Sequence, residues 1–469
     1  MKRKLHRLTT LIACLSILSM LLAACGGEAP APTAVPTTGA APAEATNTTA
    51  AMPADSTPTT AAMADAGDVV WISTQFTPVE ESERLRNTIL KDFKGKVEYV
   101  PQDPGPFNDR IMAENKTGKV TISLVGGLHG DFPPLIGAGA MEDVSALAAK
   151  LTDRGIPAAF MDLGKMGTDK QYYIPWMQAT YILAASKQAL QYLPQGADVN
   201  KLTYDQLKEW AANIQKATGE RKFGLPGGPK GLIHRIFQGY LYPAYTGHNI
   251  VDFRSPEAEQ MWAYVKDLWQ YTNPQSTTYE FMQEPLLSGE VWLTIDHTAR
   301  LINAVKERPD DFVLAPAPSG PKGLAFMPVL AGLGIPKGAP NRAGAEALIE
   351  YLTQPQVQIT TLRENAFFPV VKTDTSGDLD KGTSMEAAAV GAQSAAANAL
   401  PALLPVGLGA KGGEYNKVFT DSFQRIVLKN EDIKTVLADE TKILQAILND
   451  TKAPCWAPDP ASSGPCQVK

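Results

Sequence analysis

From Asp68 to Leu352 short β-rich runs alternate with stretches of helical period, and this alternation restricts the chain to sheets clothed in helices. Val69 to Ser73 opens the series, and Phe76 to Phe93 follows at helical spacing with Glu, Arg and Lys outward. Residues 97–100 read as a second strand, 106–115 as a second helix, and 120–125 as a third strand leading into the loop 126–131. The pattern predicts an α/β fold with a parallel sheet covered on both faces. Ligands in such sheets gather at the carboxyl ends of the strands.

Further on, residues 202–217 form an amphipathic helix with Leu207, Trp210 and Ile214 on one face and Thr203 as its candidate N-cap. An aromatic helix over 232–245 and another over 256–271 follow, the latter with Trp262, Val265 and Trp269 as its buried stripe. Trp210, Trp262 and Trp269 are therefore expected in the core. Gly289 stops a helix before a strand that ends in Asp296, His297 and Thr298. Residues 312–318 read as a strand leaving into a proline-rich loop and 329–335 as a returning strand, 341–352 and 354–364 as helices, and helices fill 385–448.

Ahead of this ordered part, Lys2, Arg3, Lys4 and Arg7 precede an apolar run from Leu8 to Leu22, then Ala23, Ala24 and Cys25. The run falls short of the about 20 apolar residues of a membrane span and reads as an export signal over 1–24. Residues 28–67 are Ala, Pro, Thr and Gly with almost no large apolar side chain. Such a segment buries too little to offset ordering entropy, so a disordered linker is expected over 25–67. Leu22-Ala23-Ala24-Cys25 resembles the lipobox of bacterial lipoproteins, which implies cleavage before Cys25 and acylation of it. Two or three acyl chains anchor a domain stably on a bilayer, whereas one is marginal. Of the other cysteines, Cys14 leaves with the signal, and Cys455 and Cys466 bracket a short Pro- and Ser-rich stretch in the tail 454–469. An exported chain makes a disulfide the default there; a two-thiol metal site is the rival, without a nearby His or Cys to complete four ligands.

The 469 residues carry a formal net charge of -6, which argues against nucleic acid as partner. The five histidines lack metal-ligand spacing, and no cofactor is expected. Gly407 to Gly412 matches G-x-G-x-x-G, but no strand precedes it, so a dinucleotide site is not read there. A phosphate-binding P-loop, a zinc-protease motif and a serine-hydrolase elbow are all missing from the sequence.

Several blocks in order resemble the extracellular solute-binding proteins of ABC importers, especially the carbohydrate-binding group. They are Pro175 to Leu183, Leu202 to Ala211, Gly289 to His297, Ala315 to Pro321, Gly332 to Gly338, Leu352 to Gln358 and Phe367 to Pro369. The resemblance implies a two-lobed, periplasmic-binding-protein-like clamshell with discontinuous lobes. One lobe is expected over 68–183 plus 298–352, the other over 184–297 plus 353–453, with crossovers near 181–185, 296–298 and 353. It implies a monomer that is not an enzyme, holds a mono- or oligosaccharide and hands it to membrane permease subunits. A secreted glycosidase, with Asp131 and Asp296 as its carboxylate pair, and an adhesive or sensing lipoprotein are the alternatives.

Residues at strand ends and crossovers are the candidate solute contacts. Gln75, His129 and Asp131 belong to the first lobe; Trp176 and Gln178 flank the first crossover. His234 lies near a helix start, Asp296 and His297 end the middle strand, and Met327 precedes a returning strand. Amides, imidazoles and carboxylates bond hydroxyls, and an indole presents a flat apolar face.

Overall fold

The computed structural model describes residues 66–373 and 379–469. The expected export signal, Cys25 and nearly all of the linker lie outside the described residues. Twelve strands are used below: β1 (Asp68–Ser73), β2 (Lys96–Pro101), β3 (Leu124–Leu128), β4 (Ile174–Ala179), β5 (Tyr181–Ser186), β6 (Phe223–Gly224), β7 (Leu293–His297), β8 (Phe312–Ala315), β9 (Leu324–Phe326), β10 (Val329–Gly334), β11 (Phe368–Pro369) and β12 (Ala399–Pro401). They form a six-stranded sheet ordered β11-β4-β10-β3-β1-β2, a four-stranded sheet β6-β7-β5-β8 and a pair β12-β9.

The expected parallel pairing holds for the first three strands, and the later strands make the sheet a mixed one. β2, β1 and β3 run parallel, but β10 is antiparallel to both β3 and β4, and β4 to β11. The cause is the route of the chain. After β4 only Thr180 intervenes before β5 joins the other sheet, and β10 re-enters the first sheet in the opposite sense. The third strand also starts later than the pattern suggests. The Glu114 carboxylate accepts the N–H groups of Thr121 (2.7 Å) and Ile122 (3.3 Å), which withdraws them from a ladder.

Strand membership groups segments that the expected lobes separate. β8 pairs with β5, Leu183 opposite Ala315, so 298–315 belongs with the four-stranded sheet. β11 pairs with β4, so helix Pro355–Asn365 and the turn after it belong with the six-stranded sheet. The chain therefore crosses at Thr180, again between β8 and β10, and finally after Val371, before helix Lys381–Ser394 packs on β8. Period and spacing carry no information on which distant strand is the partner.

Several helix limits follow local chemistry. Thr203 caps helix Tyr204–Thr218 reciprocally with Gln206: Thr203 Oγ1 accepts Gln206 N–H at 3.2 Å and Gln206 Oε1 accepts Thr203 N–H at 3.0 Å. The aromatic helix is α at Ile233–Ile236, π at Phe237–Leu241 and α again at Tyr242–Thr246. Pro243 has no N–H to return to Gly239, which accounts for the widened turn. Trp210 and Trp262 are fully buried, as the stripes predict, while Trp269 is half-buried with its ring 5.2 Å from Phe423. In the first sheet Trp71 meets Tyr99 and Trp176 edge-on at 4.8 and 5.6 Å, each such pair worth about 0.5–1.5 kcal/mol beyond area burial. Cys455 and Cys466 are joined by a disulfide.

Glu386, on helix Lys381–Ser394, is 0% exposed, and neither carboxyl oxygen has a hydrogen-bond partner among the described residues. Burial pushes it well above the usual carboxylate range, although Lys306 pulls the other way. The folded state thus keeps the proton that the unfolded chain releases near 4.5. Stability is lost as pH rises above that value, by about 1.4 kcal/mol per pH unit until the folded group ionises. The melting advantage of Glu386→Gln over the parent should widen from pH 4.5 to 8; a constant difference would contradict the buried proton.

Candidate functional site

A cavity of about 330 Å³ lies where the two sheet systems meet. Leu128, Gly130, Asp131 and the start of helix Pro104–Thr117 line it from the six-stranded side. Arg235, Leu404, Pro405, Leu408, Gly409 and the start of helix Gly412–Phe423, with Asn416, line the other. The approach between the walls is close: a Cβ added to Gly130 would lie 1.8 Å from the Pro405 carbonyl oxygen.

Asp131 is placed by the turn after β3. Its Oδ2 accepts Leu128 N–H at 2.8 Å and Thr74 Oγ1–H at 3.0 Å, leaving Oδ1 without a hydrogen-bond partner among the described residues. Burial raises its carboxyl above the usual range, opposed by these two bonds and by Arg235. Arg235 Nη1 donates to Gln238 Oε1 at 3.0 Å, and Gln238 Nε2 donates to Asn416 Oδ1 at 3.0 Å. This relay orients Asn416 and leaves its amide hydrogens unspent. Burial pulls the Arg235 guanidinium below its usual range, and among the described residues no carboxylate lies within 4.0 Å of it. A carboxylate and a guanidinium thus face one cavity without pairing. Each keeps hydrogen-bonding capacity for a third party.

Of the nine residues singled out in the sequence, only Asp131 lines this cavity. His129 turns away to Tyr173 Oη at 2.7 Å, and burial pulls its imidazole down to about 4, so it is neutral. His234 is half-buried beside Arg235, and burial with the nearby Arg235 and Arg300 charges pulls it well below its usual range. Gln75 is buried, and its side-chain amide donates to Thr74 Oγ1 at 3.1 Å. Trp176 has no accessible surface and packs between Trp71 and Phe76. Gln178 donates to the Pro369 carbonyl at 3.4 Å. Met327 is buried against Gly239.

Asp296 and His297 sit at the end of β7 but point into structure. Asp296 accepts the N–H groups of Met282 (3.0 Å) and His297 (2.7 Å), and burial pushes it up to about 6. His297 Nδ1 accepts Ala299 N–H at 3.2 Å, its ring lies between Tyr181 and Phe367, and burial pulls it down to about 3. Among the described residues no aromatic side chain lines the cavity, whose apolar lining is leucine, proline and alanine.

Sequence reasoning missed Arg235 and Asn416. It noted Gly407 to Gly412 only as a failed nucleotide motif, whereas Gly409 and Gly412 line the cavity because a residue without a side chain keeps the wall open. Among the described residues no cluster of His, Cys, Asp and Glu is arranged to hold a metal, and no helix is long and apolar enough to cross a membrane.

Comparison with known proteins bears on this geometry. The GacH receptor of Streptomyces glaucescens, solved unliganded and with acarbose, superposes with a TM-score of 0.65 at 18% identity, over 82% of this chain and 99% of that one. Maltose-bound MalE3 of T. maritima gives 0.65 at 20% identity, over 81% and 100%. UgpB from Mycobacterium tuberculosis, bound to glycerophosphocholine, gives 0.64 at 17%, over 82% and 99%. At such identities the likeness establishes a shared fold, the two-lobed clamshell. No curated protein sequence matches significantly. Residues 84–382 match the profile described as bacterial extracellular solute-binding protein, and with well over half its length inside that match this chain belongs to the extracellular solute-binding family.

Proposed function

We propose that the chain is a lipid-anchored, extracytoplasmic receptor that captures a small carbohydrate between its lobes and delivers it to the permease of an ABC importer. The observation that carries this reading is the unpaired Asp131 and Arg235 facing one cavity from opposite lobes. A sugar hydroxyl both donates and accepts, so one solute satisfies the free Asp131 oxygen and the spare donors of Arg235 and Asn416. Bonds to both lobes exist only when they meet, so the solute shifts the population towards closure. The cavity volume suits a mono- or disaccharide. Acarbose- and maltose-binding neighbours of the same fold support the solute class. Of the residues expected from sequence, Asp131 touches solute; Gln75, His129, Trp176, Gln178, His234, Asp296, His297 and Met327 shape the cleft from behind.

The glycosidase reading is not favoured. Hydrolysis needs two carboxylates about 5–10 Å apart on one substrate. Asp296 is spent on two backbone N–H groups, and Asp131 faces a guanidinium instead. The test is a thermal-shift panel of saccharides, polyols and zwitterionic amino acids, with product analysis alongside. Saccharides should stabilise the chain and emerge unaltered; at a hundredfold excess over Kd the gain is about 2.7 kcal/mol. Stabilisation by amino acids alone, whose ammonium and carboxylate also match Asp131 and Arg235, would replace the carbohydrate assignment.

Anchoring rests on Leu22-Ala23-Ala24-Cys25. Cys25→Ala should move the chain from the membrane fraction to the soluble one, and mass spectrometry of the parent should find acyl groups on Cys25. An unmodified Cys25 in the mature chain would end that part of the reading.

A further inference from the structure

The C-terminal tail bears on the cavity without lining it. The wall 402–413 is sparsely held: Ala402 N–H reaches the Phe326 carbonyl at 2.8 Å and Leu403 N–H the Ala457 carbonyl at 2.8 Å. From Leu404 to Leu408 no backbone N–H finds an acceptor among the described residues. What stands behind this strip is the tail. Gly407, at φ +80°, faces Ala453 and Pro454, to which an added Cβ would lie 3.6–3.7 Å away. The buried Trp456 ring meets the buried Tyr415 ring edge-on at 5.6 Å. Tyr415 belongs to helix Gly412–Phe423, which brings Gly412, Gly413 and Asn416 to the cavity.

The tail is itself clamped to the second lobe. The Asp459 carboxylate accepts the N–H groups of Asn249 (2.8 Å), Ile250 (3.1 Å) and Val251 (2.7 Å). Lys469 N–H reaches the Val251 carbonyl at 2.9 Å, and Gln445 bonds both the Cys466 carbonyl and Val468 N–H at 3.0 Å. The Cys455–Cys466 disulfide closes the loop that carries Trp456, Ala457 and Asp459.

From this arrangement we infer that the disulfide-closed tail is a positioning element, with Asp459 and Trp456 as its positioning residues, that fixes the second lobe's wall of the solute cavity. The inference rests on the cavity being the solute site, but its mechanical content is readable without any solute. Hydrogen–deuterium exchange on the full mature chain tests it, comparing the parent with Asp459→Ala, Asp459→Asn and Cys455→Ser/Cys466→Ser. Exchange at the hydrogen-bonded amides of the wall, Ala402, Leu403, Lys411 and the first turns of helix Gly412–Phe423, should rise at least tenfold in Asp459→Ala and in the serine pair, while β1, β3 and β10 stay protected. Asp459→Asn keeps one acceptor oxygen and should fall between. Should the serine pair fail to fold, reduction of the folded parent with dithiothreitol replaces it and should give the same local rise.

Change confined to 453–469, or spread equally over helix Ile433–Thr451 and the six-stranded sheet, would overturn the inference. Either result would leave the solute reading untouched, whereas failure of the saccharide panel would leave the exchange result standing.

Discussion

Gly130→Ala should fold as the parent does and yet lose solute affinity by at least a hundredfold, about 2.7 kcal/mol. The added Cβ would lie 1.8 Å from the Pro405 carbonyl oxygen and 3.0 Å from its carbon, both backbone atoms of the opposite wall. No rotamer relieves that overlap, so the walls must part. Within its own lobe the substitution meets nothing else so close, and the backbone at Gly130 needs no positive φ. The unliganded melting temperature should therefore change little. Calorimetric titration with the saccharide selected by the panel checks the affinity, and small-angle scattering checks that the variant stays extended. Parent-like affinity in Gly130→Ala would mean that the Gly130–Pro405 approach is not part of the binding state.

Removing the cavity charges should weaken capture one side at a time. A hydrogen bond to a charged group is worth about 1.5–3 kcal/mol, so Arg235→Gln should cost roughly ten- to a hundredfold in affinity. Asp131→Asn should cost as much, because an amide oxygen still receives the bonds from Leu128 N–H and Thr74 Oγ1 but no longer as an anion. Asp131→Ala should also lower the melting temperature, since those two donors then lose their acceptor. The double variant should lose less than the sum, both groups serving one solute. Burial raises the Asp131 carboxyl, so its anionic form, and affinity with it, falls as pH drops through that raised value. Titrations at several pH values check this: the slope should disappear in Asp131→Asn. A retained slope would assign the titration to another group.

Much of the architecture was legible because it is written locally. Thr203 announces a helix start, Gly289 a stop, and the stripe Leu207, Trp210, Ile214 a buried face. Asp131 was reached by the same logic, as a polar residue just past a strand. Partnership across long distances was not. Nothing local ties Phe312–Ala315 to β5 rather than to β10. The site shows the same limit. Its walls join residues near 104, 131, 235 and 405–416, which only the closed chain assembles. His234 is singled out for its place near a helix start, but Arg235 lines the cavity, and one residue along a helix turns the side chain by about 100°. Trp176 flanks the first crossover, where its indole could face a solute or the core, and its place on an inner strand of a covered sheet buries it.

Small-angle scattering on the mature chain, with and without the stabilising saccharide, tests the central claim most directly. Two lobes that shut on their solute predict a smaller radius of gyration with saccharide present, and no such contraction in Gly130→Ala. A parent whose radius is the same with and without bound saccharide would contradict capture by closure.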